Sequence, residues 1–375
     1  MKLPAAELVA LHREVVRTPS VSGSEEPLMA FSASFLERHG VRVERVGGSL
    51  FAWTGAPAVA GAPLLLLNSH LDTVPVCPGW SRDPFAAEVA GERIFGLGSN
   101  DAKASVAAMI AATIAHAEGR GIAVALALVR DEERKSAGTE EIVAELARRG
   151  LAPAAVVIGE PTGLDVAVAQ KGLLVLELVA RGEAAHAAHA RALGARNAAN
   201  ALARDLVAIE ALLAGVAGPV DPLLGRSTVE PTILSGGTAR NVVPAEARAV
   251  LDCRTVPVES TDALRARLAE VVEGELVVLS DRLRPVATAT NLELVAAARR
   301  ARPEAKLYGS ATLSDMAFFA GTPAIKVGPG ESERSHRPDE FVTVAELLAG
   351  ASFYERLLAE LDVAATVAKQ LEVEA

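Results

Sequence analysis

Apolar runs that stop abruptly at charged residues, alternating with helix-length amphipathic stretches, constrain this chain more than any other feature. Residues 63–71, PLLLLNSHL, stay apolar until Asn68 and His70, the pattern of a strand buried on both faces that reaches a sheet edge. Ile122–Val129 is a second such run and stops at Arg130-Asp131-Glu132-Glu133. Ala155–Ile158 is a third and stops at Gly159-Glu160-Pro161, and Ala324–Val327 a fourth, followed by Gly328-Pro329-Gly330 and then His336. Helical periodicity is expected over Pro4–Val16, Glu26–Arg38, Ala102–Ala117, Thr139–Arg149, Leu292–Ala301 and Val344–Leu361. This alternation predicts an α/β fold with a mostly parallel sheet and helices on both faces. Open sheets of that kind place their sites at the C-terminal strand ends, where this chain delivers carboxylates and histidines.

The texture changes after Lys171-Gly172. Residues 173–181, LLVLELVAR, a helix over Asn197–Leu213, strands over Thr228–Leu234 and Ala245–Cys253 and a helix over Asp262–Glu273 read as a smaller α+β layer. The expected organisation is therefore a discontinuous catalytic domain, 1–171 and 285–375, interrupted by an inserted domain, 172–284. Half of the 375 residues are hydrophobic, enough for two cores. Acidic residues number 47 against 37 basic, and a net charge of -10 has the wrong sign for a nucleic-acid partner. Two cysteines, Cys77 and Cys253, exclude a disulfide framework. No apolar stretch reaches the ~18 residues that span a bilayer, and Glu7, His12, Arg13 and Glu14 interrupt any signal-peptide core, so a cytoplasmic protein without a membrane partner is expected.

Of the seven histidines, His12, His39 and His116 fall on helices or helix ends beside charged residues and read as solvated surface groups. His70 ends an apolar strand with Asp72 two residues on, and residues i and i+2 of a strand share a side. A carboxylate there suits the support of a metal-binding histidine, accepting one ring N–H and leaving the other nitrogen for the ion. Gly96-Leu97-Gly98-Ser99-Asn100 could be read as a dinucleotide loop, but Asp101 replaces the third glycine and no Val/Ile-rich strand leads in. Glu25-Glu26 and Glu140-Glu141 show that paired glutamates occur elsewhere as ordinary surface; only its place at a strand end sets Glu132-Glu133 apart. Three acids at one sheet edge repel unless a cation joins them. His70, Asp101, Glu133, Glu160 and His336 form a mixed nitrogen and carboxylate set that suits zinc or a neighbouring transition ion. Five ligands exceed one open catalytic zinc and match two ions about 3.5–4 Å apart sharing a carboxylate.

These residues, in His70-Leu71-Asp72-Thr73-Val74-Pro75, Gly96 to Lys103, Asp131-Glu132-Glu133 and Gly159-Glu160-Pro161-Thr162, resemble the M20 metallopeptidase and deacylase family. The likeness continues through Arg181 to His186, Arg240-Asn241-Val242-Val243-Pro244 and Gly328-Pro329-Gly330 with His336, so it covers nearly the whole chain. Within the family it is most similar to the acetylornithine deacetylase branch, to which succinyl-diaminopimelate desuccinylase is related. The resemblance implies two zinc ions, replaceable by cobalt or manganese, with Asp101 bridging, His70 and Glu160 completing one site and Glu133 and His336 the other. It implies Glu132 as general base and His186 as an oxyanion donor reaching the partner subunit of a homodimer, with His189 a rival; Asp72, read above as holding the His70 ring, is counted with these catalytic residues. Arg254 and Asn241, and with them Ser310, Thr312 and Ser314, would meet an N-acyl amino acid substrate. The sequence departs from the family pattern at Asp101-Ala102-Lys103-Ala104 and at Arg134-Lys135; neither change removes a ligand.

Overall fold

The computed structural model describes residues 2–54, 64–117, 122–215 and 218–374, with side chains as far as residue 362. The chain forms two compact units, Met1–Val168 with Ala287–Tyr308 and Ser314–Ala375, and Ala169–Val286 with Gly309–Leu313. Among the described residues no helix is long and apolar enough to cross a membrane.

In the first unit the sheet runs in the order Arg42–Val46, Ser49–Thr54, Ala123–Val129, Leu64–His70, Pro153–Ile158, Ala324–Lys326, Val166–Gln170. The four strands from Ala123–Val129 to Ala324–Lys326 are parallel, as their apolar runs predicted. Both flanks are antiparallel: the hairpin Arg42–Val46 with Ser49–Thr54 lies on one side, and Ala167 pairs with Lys326 on the other. Ser49–Thr54 carries no alternation that marks it off from a loop in the sequence.

Side chains at Leu65, Leu67, Val124, Leu126, Leu128, Val157 and Ile325 join one apolar cluster with the helices Ala5–Arg17, Glu26–Arg38, Lys103–Ala115, Glu293–Ala301 and the start of Val344–Glu374. Lys103–Ala115 is buried all round, which its Ala-rich sequence permits because small side chains let it press against strands and helices alike. The strand residues between, Leu66, Asn68 and His70, face the other way, where the helix Ala137–Arg148 packs and Thr139 Oγ1 accepts from Asn68 Nδ2 at 3.0 Å. The last helix continues past the expected end at Leu361 to Glu374.

The second unit is an antiparallel sheet in the order Thr228–Gly236, Glu246–Thr255, Gly172–Arg181, Glu275–Leu283, covered by the helices Ala198–Ala214 and Thr261–Ala269. Strict alternation along Glu246–Thr255 sends Ala247, Ala249, Leu251 and Cys253 into a core with Leu174, Leu176, Leu178, Ile209 and Leu264. Asn197 caps the longer helix by accepting the N–H of Ala199 and Asn200, and Ser260 caps the shorter through Ala263. Arg254 belongs to the strand rather than following it, since the ladder runs to Thr255.

Candidate metal centre

Register in the parallel ladder sets two groups side by side. Asn68 pairs with both Ala127 and Ile158, so His70 stands level with Val129 and with Glu160, two residues beyond Ile158. His70 is 2% exposed. Its Nδ1 lies 2.9 Å from the carbonyl oxygen of Asp72, which fixes that nitrogen as the donor. Nε2 then faces Asp101 Oδ1 at 3.2 Å and Glu160 Oε1 at 3.9 Å.

The Asp72 carboxylate does not take the part expected of it. Its Oδ1 is 3.7 Å from His70 Nδ1 and accepts instead the N–H of Glu132 at 3.0 Å, while Oδ2 accepts the N–H of Glu133 at 3.1 Å and the Ser22 hydroxyl at 2.7 Å. The i, i+2 argument holds only while a strand continues, and this one ends at His70. Asp72 thus fixes the backbone of the glutamate pair. Asp131, at φ +60°, turns the chain there, and its carbonyl accepts from Lys135 at 3.0 Å and Ser136 at 2.6 Å.

Asp101 ends the glycine-rich loop ahead of the helix Lys103–Ala115, and His336, also at φ +60°, lies on the segment after Ala324–Lys326. Gly98 must be glycine: at φ +76° a Cβ would stand 2.6 Å from Thr73 Cγ2. His336 Nε2 lies 3.0 Å from Glu133 Oε1 and 3.6 Å from Asp101 Oδ2. Among the described residues, two trios could each hold an ion, His70-Asp101-Glu160 and Asp101-Glu133-His336. They share Asp101, which turns one oxygen to each. Donors on a tetrahedral zinc with bonds of about 2.0–2.1 Å sit roughly 3.3 Å apart; the histidine–carboxylate pairs here span 3.0 to 3.9 Å and all donors of a trio lie within 4.8 Å of one another, so the residues fit. The His70 ring is enclosed whereas that of His336 is 53% exposed, so the second trio opens to solvent.

Burial raises the Glu132 carboxyl well above the usual range, His70 opposing and Glu160, Asp315 and Glu133 adding repulsion. Burial likewise pushes Glu160 up to about 8 against the pull of His70, with Asp101 repelling it. For His70 burial works downward but is outweighed by the Asp101 hydrogen bond and by Glu160 and Glu132, so its pKa rises. The Glu133 hydrogen bond lifts His336 to about 9. So many acids in one enclosed place are costly to ionise together, and cations relieve that cost.

Beneath the site lie groups that sequence reading passed over. Asp315 is buried, accepts from Thr139 Oγ1 at 2.6 Å, and is pushed up by burial to about 6. Lys326 pairs with Ile158 in the ladder and is 2% exposed; burial lowers its pKa while Glu160, Glu132 and Asp101 oppose the shift. A lysine inside Ala-Ile-Lys-Val was the available signal for it. His12 corrects the surface reading: it is wholly buried, with Nε2 2.9 Å from the Ser99 carbonyl, and His116 is only 8% exposed. Helix periodicity places His12 on the apolar face with Leu8, Leu11 and Val15, which its charged neighbours obscured.

Ser314 lies in the first unit, where its side chain caps Asp315–Phe319, and the remaining predicted residues lie in the second unit. His186 is exposed on the short strand Ala185–His186, and its Nδ1 accepts the Ala188 N–H at 3.2 Å, so Nε2 carries the hydrogen of the neutral ring. That strand pairs with Val242–Val243, and the Asn241 carbonyl accepts from Ala187, so Asn241 and His186 are neighbours. The His189 ring is 5.6 Å from that of His186. Arg254 is engaged by Asp252, at 2.7 and 3.1 Å. Ser310 is buried, bonded to Thr312, and accepts the Lys171 N–H through its carbonyl.

Residues 66–360 match the family model described as Peptidase family M20/M25/M40. The chain belongs to this family. Among curated relatives, a probable carboxypeptidase of Aspergillus terreus is 32% identical over 93% of this M20 chain and 85% of its own length. A succinyl-diaminopimelate desuccinylase of Acidiphilium cryptum is 30% identical over 94% of the chain and 98% of its own length. Among solved structures, a Bacillus cereus aminopeptidase superposes with a TM-score of 0.77 at 21% identity, covering 96% of this chain and 99% of that one. An M20 metallo-carboxypeptidase from Sulfolobus solfataricus gives 0.73 at 21% identity, covering 95% and 99%. These likenesses show the same two-part fold.

Proposed function

We propose that this M20 chain is a two-zinc amidohydrolase that cleaves the amide of an N-acyl amino acid, with N2-acetyl-L-ornithine as lead substrate and L-ornithine and acetate as products. The observation that carries the reading is the pair of ligand trios joined at Asp101, with Glu132 held beside them by Asp72. Zinc bound there would supply Lewis acidity, lowering the pKa of a water and polarising the acyl carbonyl. Glu132, a carboxylate held beside the trios by Asp72, takes the proton of the attacking water and returns it to the departing amine. His186, whose Nε2–H points away from its own turn, donates to the oxyanion. Arg254, Asn241 and Ser310 are assigned to substrate, Arg254 to its carboxylate.

The inserted domain serves as lid and homodimer surface in this proposal. Ile233 and Leu234, 60% and 62% exposed on the sheet-edge strand Thr228–Gly236, support a second copy as its partner. A second reading of the substrate, a succinylated or peptide amide, is favoured by the names of the relatives above.

The test is hydrolysis by metal-stripped protein, with and without zinc, cobalt or manganese, of N-acetyl-ornithine, N-acetyl-citrulline, succinyl-diaminopimelate and a dipeptide. Metal-dependent turnover is expected, with acetyl-ornithine fastest. Glu132→Gln should abolish it while two ions remain bound. An active glutamine variant refutes the role of Glu132, and no metal-dependent turnover of any substrate refutes the function.

A further inference from the structure

We infer that Glu340 is a positioning residue for the metal centre: its carboxylate clamps the loop that carries Asp101 and ties it to the segment that carries His336. The inference rests on the two-metal reading above. Glu340 is 3% exposed and lies four residues after His336. Its Oε1 accepts the N–H of Asn100 and of Asp101, both at 2.9 Å, and its Oε2 accepts the N–H of Gly98 at 3.1 Å. Its own carbonyl accepts the N–H of Gly96 at 2.9 Å. Four N–H groups of the loop Gly96–Asp101 therefore end on one residue.

Successive N–H groups in a turn form a concave site of positive partial charge, which in other proteins receives an anionic ligand. Here a side chain of the same chain fills it. Asn100 completes the join: its Oδ1 accepts the Glu331 N–H at 2.9 Å and its Nδ2 donates to the Glu331 carbonyl at 3.0 Å. Of the trio Asp101-Glu133-His336, two members thus hang on the segments that Glu340 connects, whereas His70 and Glu160 are placed by the ladder. Loosening the clamp acts first on the ion held by His336. Glutamine at 340 retains one acceptor oxygen and turns an NH2 toward an N–H that now donates to a carboxylate.

Zinc titration calorimetry on metal-stripped protein, with the step lost in His336→Ala marking that site, tests the inference. Glu340→Gln should weaken that step 10- to 100-fold, as loss of groups supporting metal ligands does, shift the other step less, and regain turnover at raised zinc. Where the glutamine variant fails to fold, Glu340→Asp, one methylene shorter, should show the same selective loss. Two ions bound with parental affinity by a folded variant overturn the clamp alone. A parent protein that binds no second ion overturns the two-metal reading and the clamp with it.

Discussion

Replacing Asp72 with asparagine keeps the shape of a wholly buried side chain and removes its charge and one of its two acceptor oxygens. Oδ1 now accepts the Glu132 N–H at 3.0 Å, and Oδ2 accepts the Glu133 N–H at 3.1 Å and the Ser22 hydroxyl at 2.7 Å. A hydrogen bond to a charged acceptor contributes about 1.5–3 kcal/mol, and a neutral one about 1. In either orientation asparagine keeps one N–H bond in its weaker neutral form and sets NH2 against the other N–H. The Ser22 hydroxyl can turn to accept from the NH2, so the loss is that of one charged N–H bond plus the weakening of the other, about 3 kcal/mol. The released N–H groups belong to Glu132, the proposed general base, and to Glu133, a proposed ligand, and a misplacement of about 1 Å at a reacting group costs roughly 10²-fold in rate. Urea unfolding should show a lower midpoint at unchanged slope, and kcat at saturating zinc should fall about 10²-fold. Parental kcat in a folded variant refutes the positioning argument, and parental stability refutes the hydrogen-bond reckoning.

Two further outcomes follow from titrating groups. An ion binding at the trios displaces protons from Glu160, about 8, and His336, about 9, so zinc affinity should rise with pH between 6 and 8.5; affinities at those two values that agree within error contradict this. Burial lowers His12 from 6.5 to about 4, so the unfolded chain takes up a proton at higher pH than the folded one. The stability present above pH 6.5 is then lost as pH falls toward 4, by roughly 3 kcal/mol from this group. His12→Gln should flatten the denaturation midpoint across that window, and an unchanged acid slope speaks against it.

The parallel strands and the candidate donors at their ends were legible in the sequence for one physical reason, whereas Asp101 was marked only by its glycine-rich loop. Strands buried on both faces must be apolar until they reach the edge, so the first charged residue after each run marks a strand end. Four such ends supplied His70, Glu132 with Glu133, Glu160 and the segment bearing His336. The antiparallel flanks were illegible because Ser49–Thr54 and Val166–Gln170 are short and unpatterned, and their direction is set by which neighbour has a free edge.

What the sequence determined by itself is the set of candidate donors, since residue type and place beside a strand end or a glycine-rich loop are local properties. Tertiary structure alone decided how they are held. Asp72 turned from the His70 ring to the backbone of Glu132 and Glu133 because the chain bends where the strand stops. Glu340, more than two hundred residues from Asp101 in sequence, came to lie 2.9 Å from the Asp101 N–H. His12 was buried against Ser99, and Lys326 beneath the carboxylates. These placements depend on packing between distant segments, and a buried charge has no local pattern: only the folded chain shows which partner compensates it.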